Sequence, residues 1–456
     1  MDTGGSVAQL EDTIVAVATP SGRGALALVR LSGPDALSIA RKHLRSLPAQ
    51  PRATQLCTVY DGEEVLDQAL VTLFREPESF TGDDTVEFST HGGYLVPSSL
   101  LAALISSGAR QAQPGEFTRR AVLNGKLDIL QAEAIGDLID ARSLAMKRAA
   151  LGQLDGGLSR RLLLLRDRLI ELEALIVYDI DFPEEDDGPV PREKVEESAT
   201  EVVASLKALL ATASTGELIR EGAIVVIAGP PNAGKSSLFN ALLGRSRAIV
   251  SEIPGTTRDA LEAVIDSGNW PLRLVDTAGL RETDDRLERL GIEVSERYLA
   301  DAHVILACAE TSESLEHTVK LVARSTSALI LPVQTKADLV TTRDKSFGQQ
   351  PGIAVSAETG SGLQDLLDAI DEILRKEHGE ILPDLPILTM ARHRQALTVA
   401  CSEIEQFHRA WREKNFPATV ASVHLRTAVS ELEELIGTVE VEDVLDRVFS
   451  SFCVGK

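Results

Sequence analysis

A nine-residue segment, GPPNAGKSS from Gly229 to Ser237, constrains the fold more than any other part of the chain. It matches the pattern GxxxxGK[ST], follows the apolar run AIVVIA and opens the helix-like stretch SSLFNALLG. A strand, a glycine loop and a helix in this order place backbone amides and a helix N-terminus around a phosphate group. In such a loop Lys235 reaches the β- and γ-phosphate oxygens and Ser236 ligates Mg²⁺. The segment therefore predicts an α/β domain that binds a nucleotide.

Four further motifs follow the phosphate loop in the order that a guanine-nucleotide switch requires. PGTTRD supplies Thr257 as a metal ligand, and DTAG supplies Asp276 behind the metal and Gly279 beside the γ-phosphate. TKAD supplies Asp338, which can pair with the guanine nitrogens, and SAE, residues 356–358, ends the strand over the base. Each motif is weak alone, but five in sequence predict GTP binding.

The TKAD motif departs from the usual NKxD, because Thr335 replaces the asparagine. Thr keeps a hydroxyl and lacks an amide, so the loop loses a hydrogen-bonding group. Lys336 can still pack along the base, and Asp338 can still select guanine over adenine. We expect modestly weaker nucleotide binding rather than its loss.

The chain lacks the usual means of GTP hydrolysis at two points. Leu280 follows DTAG, where many switch GTPases have a water-orienting Gln, and no arginine finger can be identified in the domain. The side-chain oxygen of Asn232 can instead hold K⁺ against the phosphates, closed over by carbonyls from SEIPGT, and a fixed cation stabilises transition-state charge. The alternative is that Asn232 only forms a turn. Several carboxylates in LRETDDRLERLGIE can orient water, and their spacing does not choose among them.

The segments around the nucleotide-binding domain differ in pattern. Residues 1–118 mix short β-rich runs with Gly and Pro, which predicts an α+β domain. Residues 119–216 and 383–456 show apolar residues at every third or fourth position, the spacing of a buried helix face. Residues 217–382 alternate strand-like and helix-like runs, which is typical of a mainly parallel sheet. The sequence thus predicts a multidomain α/β and α protein in which a Ras-like P-loop GTPase domain is inserted into a helical domain.

The net charge and the cysteine content limit which partners, cellular location and metal or disulfide sites we expect for this chain. A net charge of -23 repels phosphate backbones, so nucleic-acid binding requires a local basic patch or a partner protein. No apolar run of bilayer length and no leader pattern is evident, so we expect a cytoplasmic protein without a membrane. Four dispersed cysteines argue against a zinc site or disulfides. Cys308 fits a core position. Cys453 stands where a prenylated cysteine would, but Val454, Gly455 and Lys456 after it do not match the prenylation pattern, which leaves a packing residue or a reactive thiol.

The chain resembles the MnmE (TrmE) family of tRNA-modifying GTPases over nearly its whole length. The resemblance rests on the following segments: ATPSGRGALALVRLSG, SFTGDDTVE, HGG, PGEFTRRAVLNGKLDILQAEAIGDLIDA, GPPNAGKSS, PGTTRD, DTAGLRETDDRLERLGIE and the terminal FCVGK. The GTPase motifs are shared by many proteins, whereas FCVGK and the PGEFTRR segment are specific to this family.

The resemblance assigns roles within the GTPase domain. It implies a K⁺ site formed by Asn232, Ser251, Ile253 and Thr256, and a Mg²⁺ site at Ser236 and Thr257. It places the catalytic glutamate at Glu288 and implies that Arg258 and Asp259 couple the nucleotide state to modification. Together with the motifs, it gives the following GTP-binding residues: Asn232, Ala233, Gly234, Lys235, Ser236, Ser237, Ser251, Glu252, Ile253, Pro254, Gly255, Thr256, Thr257, Asp276, Thr277, Ala278, Gly279, Lys336, Asp338, Ser356, Ala357 and Glu358.

The resemblance also assigns a site outside the GTPase domain. It implies that residues 1–118 form a dimerisation domain that binds 5-formyl- or methylene-tetrahydrofolate. The folate contacts carried over by motif are Arg30, Glu87, Lys126 and Lys456. Cys453 would then lie near the folate, either as a reactive thiol or as a packing residue.

The implied function is a homodimeric, K⁺-activated GTPase that works with an FAD-containing, MnmG-like partner in a heterotetramer. The pair would add an aminomethyl or carboxymethylaminomethyl group to the wobble uridine of certain tRNAs. One alternative is a regulatory or ribosome-assembly GTPase, resembling Era or Der, without modification activity. A third is a folate-binding protein with an appended regulator.

Overall fold

The chain folds into two compact units, seen in a computed structural model. The structure describes residues 12–181, 192–245, 261–267, 270–276, 298–324, 326–339, 352–379, 386–412, 418–437, 452 and 455. The first unit comprises residues 1–136 and 433–456, and the second comprises residues 137–432. The predicted multidomain fold class, with α+β, helical and α/β parts, is confirmed.

A mixed six-stranded sheet forms the centre of the first unit. Its strands and helices are β1 (Ile14–Val17), β2 (Leu26–Ser32), α1 (Ala36–His43), β3 (Gln55–Asp61), β4 (Glu64–Phe74), β5 (Thr85–His91), α2 (Leu95–Ser106), β6 (Arg110–Gln111), α3 (Glu116–Leu123) and α4 (Ile129–Asp140). The strand order is β3-β4-β5-β2-β1-β6, and only the pairing of β1 with β6 is parallel.

Alternation along the strands places the largest core of this unit on one face of the sheet. Val29, Leu31, Val71 and Phe88 are buried on it, in a core that also includes Leu100 of α2. Because side chains alternate along a strand, the residues between these positions point to the opposite face.

The opposite face of the sheet carries both polar and apolar side chains. Arg30 pairs with Glu87 across β2 and β5. Leu70 of β4 lies across from Leu56 of β3, and these leucines are 44% and 63% exposed. The strand register therefore places the ion pair and the exposed leucine pair on the same face of the sheet.

The second unit combines a helical part with a second sheet. Its elements are α5 (Leu144–Leu154), α6 (Gly157–Asp181), α7 (Arg192–Leu210), α8 (Ala213–Glu221), β7 (Ala223–Ala228), α9 (Lys235–Arg245), β8 (Leu261–Asp266), β9 (Pro271–Asp276), β10 (Val304–Ala309), α10 (Ser312–Val322), β11 (Leu329–Gln334), β12 (Ile353–Ala354), α11 (Leu363–His378), α12 (Ala391–Arg412) and α13 (Ala418–Ile436).

The helical periodicity read from the sequence matches the burial. Six α6 residues are at most 2% exposed: Leu158, Leu162, Leu165, Leu169, Leu172 and Ile176. In α12, Ala400, Ile404 and Phe407 are fully buried as predicted. Ala396 is only half-buried, and its neighbour Leu397 takes the core position instead.

The second sheet positions the nucleotide motifs. Its strand order is β12-β11-β10-β7-β9-β8, and every pairing is parallel except that of β8 with β9. The strand β7 lies between β10 and β9, where the chain order reverses. Ligands of open α/β sheets bind at the carboxyl ends of strands beside such a reversal. The mainly parallel sheet predicted for residues 217–382 is confirmed.

One segment of the described residues, 193–221, has the length and apolar composition of a membrane span. Its buried residues Val195, Ala199, Val202 and Leu206 recur at helical spacing, and α7 packs against α6 and α12. Such burial is that of a core helix. The predicted domain boundaries after residues 118, 216 and 382 stay a prediction, although β1 to β6 and β7 to β12 each fall within one predicted segment.

Candidate functional site

The phosphate loop follows β7 and has a backbone that only certain residues permit. Gly229 leaves no room for a side chain, because a Cβ there would lie 2.3 Å from the carbonyl oxygen of Cys308. Asn232 and Gly234 adopt left-handed conformations, with φ angles of 64° and 77°. Asn tolerates this region because its short polar side chain bonds locally, and Gly has no Cβ to clash. The loop thus needs Gly229 for close packing against β10, and Asn232 and Gly234 for a tight turn before α9.

Lys235 begins α9 and turns back over this loop. Its Nζ donates to the carbonyl oxygen of Pro230 at 2.9 Å, and the side chain is buried. The ammonium therefore lies against the loop, within reach of phosphate oxygens that the loop amides would bind. Ser236 and Ser237 follow in the first turn of the helix and are exposed. Their hydroxyls are accessible to a metal ion at the helix N-terminus.

Asp276 ends β9 beside the strand that leads into the phosphate loop. It pairs with Ile227 across the two strands and is fully buried. The neighbouring thiol of Cys308 is also fully buried, and burial raises its pKa to about 12, with a smaller lowering by Lys235 and a small further rise from Asp276. Cys308 is therefore a core residue, as predicted, and its thiol stays protonated at neutral pH.

The base-recognition loop is tied directly to the phosphate loop. The Thr335 hydroxyl donates to the carbonyl oxygen of Ala233 at 2.7 Å, and both residues are buried. Lys336 adopts a left-handed conformation with φ of 55°, and its ammonium forms an ion pair with the Glu310 carboxylate. Thr335 thus keeps a link between the two loops despite replacing the usual Asn. The expected modest loss of affinity stays a prediction.

The last motif closes the base site through backbone bonds. Ala337 N donates to the carbonyl oxygen of Val355 at 3.0 Å, which joins the TKAD loop to the strand before SAE. Ser356 is fully buried, and its side chain accepts from the amide of Thr359 at 3.2 Å. Ala357 is half-buried, and Asp338 and Glu358 are exposed. The four described motifs therefore meet at the carboxyl edge of one parallel sheet, as the sequence predicts.

In the first unit, the predicted folate residues Arg30 and Glu87 form one polar cluster. Arg30 Nε and Nη2 each lie 2.8 Å from Glu87 Oε1. The guanidinium also lies 5.4 Å from the ring centroid of Phe80 and 5.5 Å from that of Phe117. Cation–π contacts and a carboxylate hold the guanidinium in place, with about a fifth of the side chain still exposed. Such an arrangement can bind a planar ligand with polar edges.

Lys126 contacts the connecting segment that carries Phe80. Its Nζ donates to the carbonyl oxygen of Pro77 at 2.9 Å, while Asn124 donates to the carbonyl oxygen of Thr81 at 2.7 Å. Residues 75–84 thus contact Lys126 at one end and supply Phe80 beside Arg30. Burial raises the pKa of Asp83 in this segment.

A buried ion-pair network supports α3 at the edge of this cluster. Arg120 is 1% exposed and forms ion pairs with Asp12 and Glu116. Arg110 forms ion pairs with the same two carboxylates. Burial alone would raise the pKa values of both carboxyls, but hydrogen bonds from the arginines outweigh burial and lower the pKa of Asp12 and of Glu116. The network fixes the helix that carries Phe117.

The carboxyl-terminal segment contacts the first unit at two points. The ring of Phe452 would lie 3.3 Å from a Cβ on Gly136, so that glycine admits the ring. Gly455 approaches β1, where a Cβ would lie 2.8 Å from Val17 O. Val17 is next to Ala16, the cross-strand partner of Arg30. Gly455 therefore lies beside the strand that borders the Arg30 cluster.

Several predicted residues lie outside the described residues. They are Ser251, Glu252, Ile253, Pro254, Gly255, Thr256, Thr257, Arg258, Asp259, Thr277, Ala278, Gly279, Glu288, Cys453 and Lys456. Their assigned roles stay predictions.

Sequence reasoning missed three contributors to these sites. Phe80 and Phe117 lie 50 and 87 positions after Arg30 in the chain, and no local pattern marks their contacts with it. Glu310 beside Lys336 carried a weak signal, since a charged residue directly follows the apolar strand VILACA.

Comparisons with known proteins cover almost the whole chain. The family model described as "GTP-binding protein TrmE N-terminus" matches residues 13–126, and that described as "MnmE helical domain" matches residues 129–453. The tRNA modification GTPase MnmE of Aquifex aeolicus is 40% identical over 98% of this chain and 100% of its own length. That of Heliobacterium modesticaldum is 42% identical over 98% of this chain and 99% of its own.

Among solved structures, the G domain of the T. maritima FeoB iron transporter is 26% identical, covering 33% of this chain and 98% of its own, with a TM-score of 0.27. That score is too low to support an argument. The full-length matches favour the tRNA modification GTPase over the regulatory switch that the sequence left open. With the phosphate loop, the base loop and Asp276 meeting at one sheet edge, the chain is a GTP hydrolase and belongs to the MnmE family of tRNA modification GTPases.

Proposed function

We propose that this GTP hydrolase is activated by K⁺ and, with an FAD-containing partner, adds an aminomethyl or carboxymethylaminomethyl group to the wobble uridine of certain tRNAs. The observation that carries the proposal is the pairing of two sites in one chain. One is the nucleotide site after β7, and the other is the Arg30–Glu87 cluster of the first unit. GTP hydrolysis would drive a conformational cycle rather than the carbon chemistry.

The Arg30 cluster has the chemistry of a reduced-folate site. A pterin ring has donor and acceptor groups at its edge, which suit the Glu87 carboxylate, and aromatic side chains such as Phe80 can stack on its face. The glutamate tail of 5-formyl- or methylene-tetrahydrofolate carries carboxylates that Arg30 and Lys126 can bind. A one-carbon donor held there would supply the carbon for the uridine.

The nucleotide site fits two cations. Ser236 can ligate Mg²⁺ from the first turn of α9, with Asp276 buried behind it and Thr257 as a further proposed ligand. Asn232 is exposed in the phosphate loop, so its side-chain oxygen is available to K⁺. A bound K⁺ supplies fixed positive charge near the scissile phosphate. Glu288 is the proposed water-orienting residue.

An exposed leucine pair on the first sheet is consistent with the proposed homodimer. Leu56 and Leu70 lie opposite each other and are 63% and 44% exposed. Burying this pair against a second copy of the chain would be favourable. The acidic net charge suits a cytoplasmic protein whose partner contributes to tRNA binding.

The uridine chemistry can be tested in cells. A strain that lacks the gene should lose the modified wobble uridine in nucleoside analysis of its tRNA, and a plasmid copy should restore it. A Lys235→Ala copy should fail to restore it if the GTPase cycle is needed. An unchanged nucleoside profile in the deletion strain would contradict the proposal.

The role of K⁺ can be tested by exchanging the cation. We expect GTP turnover to fall strongly when Na⁺ replaces K⁺ at constant ionic strength. Asn232→Gly keeps the left-handed backbone and removes the side-chain oxygen, so this variant should lose the difference between the two salts. Equal turnover of the unaltered protein in both salts would rule out the cation site.

A further inference from the structure

We propose that the helical hairpin of α5 and α6 binds RNA phosphates through four exposed side chains, which we call the hairpin cations. They are Lys147, Arg148, Arg161 and Arg168. The segment 141–168 has seven Lys and Arg against two Asp, in a chain whose net charge is -23. A strongly acidic protein that acts on RNA needs such a local reversal of charge. The inference deepens the proposed function, on which it rests in taking tRNA as the RNA.

The hairpin cations occupy the exposed sides of the two helices. Lys147 and Arg148 are exposed on α5, whose opposite side buries Ala145. Arg161 and Arg168 are exposed on α6, along one flank of the buried leucine row described above. Arg161 and Arg168 are seven residues apart, which places them on one side of the helix about 10 Å from each other. Successive phosphates can be contacted by cations spaced in this way.

Three of these cations have no competing carboxylate nearby. Among the residues that the structure describes, Lys147, Arg148 and Arg161 have no acidic partner within ion-pair distance. Arg168 has only a long contact of 3.8 Å with Glu201. When free cations on a solvated surface contact a phosphate backbone, the backbone releases its condensed counterions, and that release drives binding. Arginine is favoured for this purpose because its planar donors match phosphate oxygens.

A second basic stretch, residues 41–52, is partly engaged within the protein. Lys42 donates to the carbonyl oxygen of Ser107 at 2.9 Å, Arg52 pairs with Glu78 at 3.4 Å, and the Arg45 guanidinium lies 5.1 Å from the ring centroid of Tyr60. Three of its four Lys and Arg side chains are therefore less available than the hairpin cations. The comparison favours the hairpin as the RNA surface.

The buried side of α5 contacts the GTPase sheet. Ala145 belongs to the hydrophobic core of that sheet, and Met146 and Ala149 pack against it. The amide of Leu144 also donates to the carboxylate of Asp266, at the end of β8, at 3.2 Å. RNA bound to the outer side of α5 would thus touch a helix that rests on the GTPase domain.

The test uses the full-length protein and an unmodified tRNA transcript. Fluorescence anisotropy measures the affinity between 50 and 200 mM KCl, roughly the range in which affinity depends strongly on the number of phosphate contacts. The triple variant Lys147→Gln/Arg148→Gln/Arg161→Gln should bind at least about 10-fold more weakly. The slope of log affinity against log salt should fall by about 2 to 3, since each phosphate contact contributes about 0.7 to 0.9. GTP turnover without RNA should be unchanged.

A charge-matched control removes three cations elsewhere. Arg52→Gln/Lys320→Gln/Lys376→Gln changes the net charge equally, and each residue lies in an exposed ion pair that contributes little to stability. We expect this control to bind tRNA and to show the salt slope of the unaltered protein. The thermal midpoints of both variants should match that of the unaltered protein.

Two outcomes would overturn the inference. In the first, the triple variant and the control bind tRNA alike. In the second, the triple variant binds tRNA normally and fails to bind the FAD-containing partner. The hairpin would then be a protein-binding surface, to which its exposed residues Leu144, Leu151 and Leu164 would contribute. Failure of the proposed function is a separate result, because it would show as an unchanged uridine profile in the deletion strain.

Discussion

The two candidate sites of this chain are built in different ways. At the nucleotide site, the phosphate loop runs through one short stretch of sequence, and its shape depends on Gly229, Asn232 and Gly234. At the Arg30 cluster, the contacts join residues from β2, β5, α3 and a connecting loop. A site made by local backbone leaves a motif in the sequence, whereas a site made by strand register leaves none.

The strongest test of the local site is Gly229→Ala. An added Cβ would lie 2.3 Å from the carbonyl oxygen of Cys308, so strand β10 or the loop must shift. We expect the free energy of unfolding of the GTPase domain to fall by about 3 kcal/mol. GDP affinity should fall about 100-fold, or ~2.7 kcal/mol, as the loop amides move. Isothermal titration with GDP and thermal unfolding measure the two effects.

Gly244→Ala serves as the matched control. Gly244 lies in α9, the helix that follows the same loop, and a Cβ there meets no atom within 4 Å. Alanine in a helix is favoured over glycine by up to about 1 kcal/mol, so this variant should be equally or more stable and bind GDP normally. Equal behaviour of the two variants would contradict the argument from close packing.

The same difference explains what could be predicted from the sequence. The parallel sheet, the phosphate loop and the row from Leu158 to Ile176 depend on local spacing, and each was predicted correctly. The Arg30 cluster could be assigned only by family resemblance, because its parts meet through antiparallel register. Even within the nucleotide site, the bond from Thr335 to Ala233 spans 102 residues and could not be read from TKAD.

The register-built site can be tested with Arg30→Ala. The change removes two contacts to Glu87 and leaves that carboxylate without its guanidinium. Hydrogen bonds between charged groups contribute about 1.5 to 3 kcal/mol, so tetrahydrofolate affinity should fall about 10- to 100-fold. GTP turnover should be unaffected. Titration calorimetry with 5-formyltetrahydrofolate and a GTPase assay provide the two measurements.

Arg52→Ala is the control for charge in the same unit. Arg52 forms an exposed ion pair with Glu78, in which both side chains are more than half exposed, and such pairs contribute little. Folate affinity should therefore be unchanged. If Arg30→Ala bound folate as well as Arg52→Ala did, the cluster would be structural only.

A smaller effect is expected from Thr335→Val, which tests a long-range contact inside the local site. The change removes the hydroxyl and leaves the buried carbonyl oxygen of Ala233 without that donor. One such bond contributes about 1 kcal/mol, so GDP affinity should fall about 5-fold. Thr335→Ser keeps the hydroxyl and should retain affinity, while Thr335→Asn measures the effect of the usual residue. Equal GDP affinity of the Val and Ser variants would contradict a role for the bond.

The smallest expected effect concerns His303, which supports the strand before the phosphate loop from 79 residues away. Its Nδ1 accepts a hydrogen bond from the amide of Ile224 at 3.0 Å, so the ring must be neutral at that atom. Burial lowers the pKa of His303, and nearby His378 lowers it further, against the opposing effects of Glu221 and Asp301. The unfolded chain therefore takes up a proton that the folded imidazole resists. The stabilisation is fully present above about pH 6.5 and is lost as pH falls below it.

His303→Asn separates this residue from the other titrating groups, because an Asn oxygen can accept the same bond and does not titrate. The thermal midpoint of the GTPase domain is measured at pH 7.5 and at pH 5.5, roughly one unit either side of an ordinary histidine pKa. We expect it to fall less in the variant than in the unaltered protein. Other histidines, including His378, have a lowered pKa and will leave some pH dependence in both. Identical pH profiles would mean that the Ile224 contact is insensitive to protonation. A difference would show that the phosphate loop, although its motif is local, depends on a strand held in place by a residue that no motif includes.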